Sequence, residues 1–310
     1  MDVLVDSDLL MEMEAKAVEM AWESGRILEG HFGKPMDVDY KDDGKNAPVT
    51  PADIESQAYL SESIVKTFPG HGIVGEEDSE EKDGSVPDFL WVLDPLDGTT
   101  NFLNGLPIYA VSICALHRGV PVAGSIYIPW PGDKGGSVLH ARKGSGASID
   151  GEPLSIPESP VPEASRLSGL PGSFGARFRP RKDLRRRLGE PRVTGSVAYE
   201  LALTATGAFQ YVVFGGPRIW DVAAGALIVK EAGGEVLGRR RKETGWEVST
   251  SLGPSWAGGP PTVKQVRSWR SRMIAGNPPA ARFVAANLEA KYPLAARVAD
   301  VARKLGRGAG

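Results

Sequence analysis

The sequence is poor in cysteine, in excess basic charge and in long apolar runs, and each shortage removes a class of protein. A single cysteine, Cys114, among 310 residues excludes an internal disulfide and favours a reducing, cytoplasmic setting. Lysine and arginine total 36 against 39 aspartates and glutamates, a net charge of −3. General nucleic-acid and membrane-surface binders carry a basic excess, so neither partner is expected. No stretch reaches an uninterrupted membrane span; even Ile108 to Trp130 is broken by His117, Arg118 and several glycines and prolines. The opening residues, Met1-Asp2-Val3-Leu4-Val5-Asp6, are acidic where a secretory signal is basic. Histidine is scarce too, and His31, His71, His117 and His140 are too scattered to be given a catalytic role.

What the chain does have is concentrated between Trp91 and Phe102, in the run Trp-Val-Leu-Asp-Pro-Leu-Asp-Gly-Thr-Thr-Asn-Phe. Phe89 to Leu93 reads as a buried strand, because a short continuous run of large apolar residues needs cover on both faces. Its carboxyl end carries Asp94 and Asp97, with Pro95 fixing φ between them. Two anionic oxygen donors on a short rigid segment suit a hard divalent cation such as Mg²⁺. The same residues also compose an Asp-Pro turn followed by an Asp-Gly turn. Gly98-Thr99-Thr100 can open a helix whose free N–H groups face an anion.

The rest of the chain supplies alternating elements. Apolar residues from Leu10 to Leu28 recur on one face of a helix starting near Ser7 and ending near Gly33. Thr50 and Pro51 read as cap and first residue of a second helix reaching about Phe68, with Asp53 and Glu55 at its acidic start. The strand Gly72 to Val74 ends in Gly75-Glu76-Glu77, so two nearby strands both end in carboxylates, which repel unless cations lie between them. Asp78, Glu80 and Glu81 read as solvated surface. Ile108 to Leu116, Val122 to Ile128 and Ser137 to Ala141 form an antiparallel meander. Arg177 to Arg192 is a basic run, expected as a solvated face on a short helix. Beyond Gly195-Ser196 come a helix from Val197 to Thr206, a strand from Phe209 to Phe214 and a helix from Trp220 to Ala232. Asp221 stands at the start of that last helix, where it is a natural cap. Met273 to Asn277 reads as the final buried strand, followed by a helix from Pro279 to Ala290 and a basic tail to Arg307. Between Glu235 and Met273 periodicity fades, and the Gly/Pro/Ser/Trp-rich stretch Ser251 to Thr262 is assigned no element.

Five of these pieces, in their order and spacing, resemble the inositol monophosphatase superfamily of Mg²⁺-dependent, lithium-sensitive phosphatases. They are Val49-Thr50 with Asp53, Gly75-Glu76-Glu77, Asp94-Pro95-Leu96-Asp97-Gly98-Thr99-Thr100-Asn101-Phe102, Gly195-Ser196, and Trp220-Asp221-Val222-Ala223-Ala224-Gly225. The resemblance runs from about residue 7 to residue 290. It implies an α/β fold, a layered αβαβα sandwich. The half spanning 1–150 would carry most metal ligands, the half spanning 151–310 would carry Asp221 and the substrate pocket, and together they would make one catalytic unit. It also implies a homodimer and two or three Mg²⁺ per site. Glu76, Asp94, Asp97 and Asp221 would be metal ligands, joined by the backbone carbonyl of Leu96, with Glu77 behind them. Asp53, Thr99 and Glu76 would form the catalytic set. Asp53 and Thr99 would position the attacking water, with Asp53 also near a weakly held Mg²⁺ and the loop containing Lys41. The N–H groups of Gly98 and Thr99 would face the phosphate, and Ser196 would line the pocket.

The resemblance implies a phosphate monoester hydrolase acting on a small phosphorylated metabolite, with inositol 1-phosphate the first expectation because the core motifs match that branch. Fructose 1,6-bisphosphate, histidinol phosphate and 3′-phosphoadenosine 5′-phosphate are the alternatives. One departure matters. In the animal inositol enzymes an acidic residue seven positions before the Trp-Asp aspartate contacts inositol hydroxyls, and an ungapped count places Phe214 there. An apolar ring cannot accept those hydrogen bonds. Arg218, three residues before Asp221, can reach a second anionic group of a substrate, or lie at the surface beside a dimer contact. A binding or regulatory protein that keeps the fold without turnover ranks lower, because every expected carboxylate and Thr99 are present.

Overall fold

The computed structural model describes residues 5–40, 48–78, 84–129, 135–239 and 245–291. Its first helix, Ser7–His31, buries Leu10, Met13, Ala17, Met20, Ala21 and Leu28, the three-and-four spacing of a core-facing stripe. The cap is Asp6 rather than Ser7: its carboxylate accepts from the Asp8 N–H, a bond a residue already inside the helix cannot provide. The second helix, Pro51–Thr67, starts as expected, with Thr50 and Asp53 forming a reciprocal capping box.

These helices cover one face of a seven-stranded sheet whose spatial order follows the chain from Gly72–Gly75 to Glu152–Leu154. The first pair is parallel and the following pairs are antiparallel, so the expected meander is present. Side chains alternate along the central strand Phe89–Asp97. Trp91 and Leu93 meet the two N-terminal helices, while Leu90 and Val92 face the other way. That second face packs on the helices Val197–Ala205 and Ile219–Glu231, which lie close together because a side chain at Gly225 would meet Leu201 at 2.5 Å.

The same two helices support a second sheet of six strands, in the order Glu190–Arg192, Leu167–Gly169, Phe209–Phe214, Arg272–Gly276, Glu235–Arg239, Glu247–Val248. Val212, Val236 and Met273 face the middle helices. Tyr211, Val213 and Ile274 face outward onto Leu184 and onto the helix Pro278–Asn287. The result is an αβαβα sandwich.

Three expectations change. The strand expected to stop at Leu93 continues to Asp97, with its register shifting between Asp94 and Asp97 where Pro95 has no N–H to pair. The basic run is not one helix but two four-residue helices, Phe174–Arg177 and Lys182–Arg185, and two short strands, Phe178–Pro180 and Glu190–Arg192. Met273 does not begin the last strand, since Leu288–Ala290 returns to pair with Phe178–Pro180.

The stretch that carried no periodicity crosses back to the first sheet. Leu252 N–H donates to Gly119 O (2.7 Å), Val86 N–H to Pro261 O (2.9 Å) and Val263 N–H to Gly84 O (3.0 Å). It then forms the six-residue helix Val263–Ser268, closed at its start by a Thr262–Gln265 capping box. The loop containing Lys41, Glu80, Glu81, Trp130 to Gly132 and the tail to Arg307 lie outside the described residues. Among the described residues, no helix is long and apolar enough to cross a membrane.

Candidate active site

Where the strands Gly72–Gly75 and Phe89–Asp97 end side by side, the middle helix Ile219–Glu231 points its first turn at them. Glu76, Asp94 and Asp221 each bring a carboxylate oxygen within 4.8 Å of the others. Parallel pairing of the two strands places Gly75 opposite Leu93, so the residues just beyond both ends must converge. Asp94 is 1% exposed and its Oδ1 accepts the Leu96 N–H (3.2 Å), a local turn that Pro95 favours. Asp97 Oδ2 accepts from the Ser196 hydroxyl (2.8 Å) and the Ala198 N–H. Asp221 Oδ2 accepts the Arg218 N–H (2.7 Å). The capping role anticipated for Asp221 therefore coexists with membership of the cluster, since a carboxylate has a second oxygen to offer.

Burial first, then the charges of Glu76, Asp97, Asp221 and Asp53, hold the Asp94 carboxyl well above the usual carboxylate range. Burial and the Asp221 charge raise Asp97, against the opposing bonds from Ala198 and Ser196. Asp221 is pushed up to about 6 by burial and by Glu76, while Arg270 and Arg218 pull it back down. Clustered carboxylates of this kind favour a divalent cation, and an oxygen-only donor set fits a hard ion such as Mg²⁺.

Asp53 stands one layer behind. Its Oδ2 accepts both the N–H and the hydroxyl of Thr50 (2.8 and 2.6 Å), and its Oδ1 faces the Thr99 hydroxyl at 3.4 Å. Thr99 Oγ1 also lies 3.1 Å from the Leu96 carbonyl, its closer acceptor. Gly98 bends the chain into the helix Thr99–Leu103 with φ of 100°, and a Cβ there would meet Ile108 O at 2.9 Å. Only glycine fits both requirements.

A cavity of about 800 Å³ opens over this floor, lined by Glu76, Asp94, Leu96, Asp97, Gly98, Thr99 and Asp221. Ser196 does not line it. The residue is 2% exposed, with its hydroxyl directed to Asp97 and accepting from the Tyr199 N–H, so it positions a carboxylate instead of forming the wall. Phe214 lies off the wall as well, 4% exposed within the core. Asp78 is not free surface: it accepts from the Gly75 N–H (3.0 Å) and the Gln57 amide (3.3 Å), closing the turn that presents Glu76. Arg218, left open between a substrate contact and a surface position, lines the cavity.

The remaining wall comes from residues that the sequence reading passed over: Lys264, Arg267, Ser268 and Arg270. Arg267 Nη1 donates to Gly75 O (2.6 Å) and Nη2 to Glu76 O (3.4 Å), so one side chain bridges the wall and the turn presenting Glu76. Arg218 Nη1 donates to Arg267 O (2.6 Å), and both guanidinium groups lie 5.4 Å from the Trp220 ring centre. The one available sequence signal is the cation at every third position, Lys264, Arg267, Arg270.

A layered sandwich with carboxylates converging at sheet ends, beneath a cationic wall, has the makings of a site for phosphorylated small molecules. The model of the inositol monophosphatase family matches residues 9–270. The chain belongs to that family and is a phosphatase of it. It is 33% identical over 222 residues to a fructose-1,6-bisphosphatase/inositol-1-monophosphatase of Aquifex aeolicus, covering 69% of this chain and 81% of the relative. It is 34% identical over 230 residues to Nus factor SuhB of Escherichia coli, covering 71% and 82%. Among solved structures it resembles a Thermotoga maritima IMPase at a TM-score of 0.62 and 28% identity, over 84% of this chain and 90% of that one. An inositol monophosphatase from Anabaena matches over 93% and 99%, at a TM-score of 0.62 and 26% identity.

Proposed function

We propose that the chain is a Mg²⁺-dependent hydrolase of small phosphate monoesters, with Glu76, Asp94, Asp97, Asp221 and the Leu96 carbonyl as the metal-holding groups. The observation that carries the reading is the convergence of three carboxylates from distant parts of the chain to within 4.8 Å. Bound divalent cations would neutralise the charge between carboxylates and phosphate and lower the pKa of a bound water. The chain's own residues do the positioning. Asp53, fixed by two bonds from Thr50, stands behind the Thr99 hydroxyl. With its hydrogen directed to Leu96 O or Asp53, that hydroxyl offers lone pairs to the cavity, where it can orient an attacking water. The N–H groups of Gly98 and Thr99, at the start of a helix beside the cavity, would face the phosphate. Phosphoryl transfer needs an in-line nucleophile and a stabilised leaving group more than an acid/base pair, in keeping with a site without histidine or cysteine.

Inositol 1-phosphate is supported by the core motifs, and fructose 1,6-bisphosphate by the name of the Aquifex relative. Retention of every carboxylate together with the Asp53–Thr99 pair argues for turnover over a binding role. Lithium sensitivity and a homodimer rest on the resemblance, and a cytoplasmic setting on the lone buried Cys114.

The test is release of inorganic phosphate with Mg²⁺, with Mg²⁺ and Li⁺, and with a chelator, for wild type and Asp97→Asn. Wild type should turn over only with the metal. The variant keeps size and loses charge, and should fall about a thousandfold, the scale of several kcal/mol of metal-assisted stabilisation. Wild-type turnover by Asp97→Asn would sink the assignment.

A further inference from the structure

We propose that Arg218 and Arg267 form a brace that fixes Glu76 and Asp221, two carboxylates from distant parts of the chain, at their mutual distance, so that Mg²⁺ meets both already in place. The proposal rests on the metal-holding reading of the floor and adds to it two positioning residues and the link between them.

The three converging carboxylates form a triangle whose sides are held in different ways. Between Glu76 and Asp94 the link is main chain. The strands pair in parallel, and the Glu76 N–H donates to Leu93 O (3.0 Å). Between Asp94 and Asp221 the link is a buried hydroxyl. Ser112 pairs with Asp94 in the sheet, is fully buried, and donates to Trp220 O (2.8 Å) in the first turn of the helix carrying Asp221. The third side, from Glu76 to Asp221, is spanned by two half-buried arginines.

Starting from Glu76, Arg267 Nη1 donates to Gly75 O (2.6 Å) and Nη2 to Glu76 O (3.4 Å). The Arg267 carbonyl in turn accepts from Arg218 Nη1 (2.6 Å), and the Arg218 N–H donates to Asp221 Oδ2 (2.7 Å). Both guanidinium groups lie 5.4 Å from the centre of the buried Trp220 ring, which restrains two long side chains at once. Val266, buried in the core, anchors the short helix from which Arg267 reaches.

These guanidinium bonds end on main-chain carbonyls, so the carboxylate oxygens of the floor are left to a cation. The brace also has a force to resist. Burial and the Glu76 charge both raise the Asp221 carboxyl, and the repulsion drives the two groups apart before a cation arrives. A donor pair held against that repulsion needs no rearrangement on binding, which favours affinity.

Electrostatics alone predicts the opposite of a brace. A guanidinium charge beside the floor repels a cation, so removing it should tighten Mg²⁺ binding, whereas removing a brace should weaken it. The experiment is calorimetric titration of metal-free protein with Mg²⁺, without substrate, for wild type, Arg267→Lys, Arg218→Met and the double variant. Lysine keeps the charge of Arg267 without its two-pronged geometry, and methionine keeps the Arg218 stem against Trp220 without its donors. Metal-free melting temperatures should stay close to that of wild type. Should either variant fail to melt cooperatively, Arg267→Gln or Arg218→Gln takes its place. Each single substitution should weaken Mg²⁺ binding about tenfold, and the double variant should lose no more than the worse single, because one broken link already opens the brace. Unchanged or tighter binding by both single variants overturns the brace and leaves the metal reading standing. A double-variant loss equal to the product of the single losses also overturns it, since the two arginines then act independently. Absence of Mg²⁺ binding by wild type overturns the metal reading and the brace together.

Discussion

On the floor of the pocket, Glu76, Asp94, Asp97 and Asp221 sit at strand ends and in a helical first turn, with Asp94, Asp97 and Asp221 accepting bonds from main-chain N–H groups. On the wall, Lys264, Arg267 and Arg270 come from a six-residue helix and the bend after it, and two of them are exposed. The difference follows from what each set of charges costs. Crowded, partly buried carboxylates destabilise a fold and persist only where the scaffold over-determines them. Solvated cations cost little and need only a rim from which to reach an anion.

The floor's cost has a definite sign with pH. Asp221 has a folded value of about 6 against an ordinary 3.8. Its raised value means that the folded state holds the proton longer than the unfolded chain does. Its contribution is therefore present at low pH and is lost as pH rises from about 4 through about 6 in metal-free protein. A bound cation should reverse that loss.

The largest break in the contrast comes from Asp94→Asn, which removes one charge from the most buried position. Calorimetric scans without metal at alkaline pH, where the raised Asp94 carboxyl ionises, should show the variant melting higher than wild type, while its stabilisation by Mg²⁺ disappears and phosphate release falls about a thousandfold. A variant that melts lower without metal and still gains stability from Mg²⁺ would contradict the account of the floor. Arg267→Ala comes next, because this side chain ties wall to floor through Gly75 O and Glu76 O. Freed of it, the turn presenting Glu76 should loosen, and the Mg²⁺ concentration for half activity should rise about tenfold, as for lost supporting bonds around a metal ligand. An unchanged Mg²⁺ requirement would mean that the two regions are independent.

The smallest effect belongs to Glu200, which accepts the N–H and hydroxyl of Thr194 beside the Ser196 turn under Asp97. Burial pushes its carboxyl up to about 7 from 4.5, so its contribution is lost as pH rises through about 7. Glutamine mimics the protonated form. Glu200→Gln should flatten the stability profile between pH ~5 and ~7 and raise stability at pH ~8 by no more than about 1 kcal/mol. A steeper profile would place the origin of the raised value elsewhere.

The same contrast explains which parts of the site could be read from the chain. Asp94-Pro95-Leu96-Asp97-Gly98 was legible because strand, proline turn and glycine bend are local effects, and Thr50-Pro51 with Asp53 is a local helix start. The layers were legible for a related reason: the period-two and three-and-four patterns of Trp91, Leu93, Met13 and Ala17 survive in the folded faces. Ser196 was misplaced because a motif says that a hydroxyl is nearby but not which way it points. Here Ser196 donates to Asp97, beneath the cavity. Phe214, which an ungapped count puts at the position of a hydroxyl-contacting acid, lies in the core, because a count along a strand does not show which of its residues reach the cavity. Lys264, Arg267 and Arg270 were passed over because their segment is fixed by distant partners, Gly84, Val86 and Gly119, and such contacts leave no periodicity.

Arg267 divides the wall into two kinds of position, tied to the floor and free of it. At Lys264 and Arg270, both exposed, a substitution changes the charge of the wall while leaving the bonds to the turn presenting Glu76 in place. At Arg267 the same kind of change also removes the bonds to Gly75 O and Glu76 O, so the charge of the wall and the support of the turn presenting Glu76 cannot be altered separately.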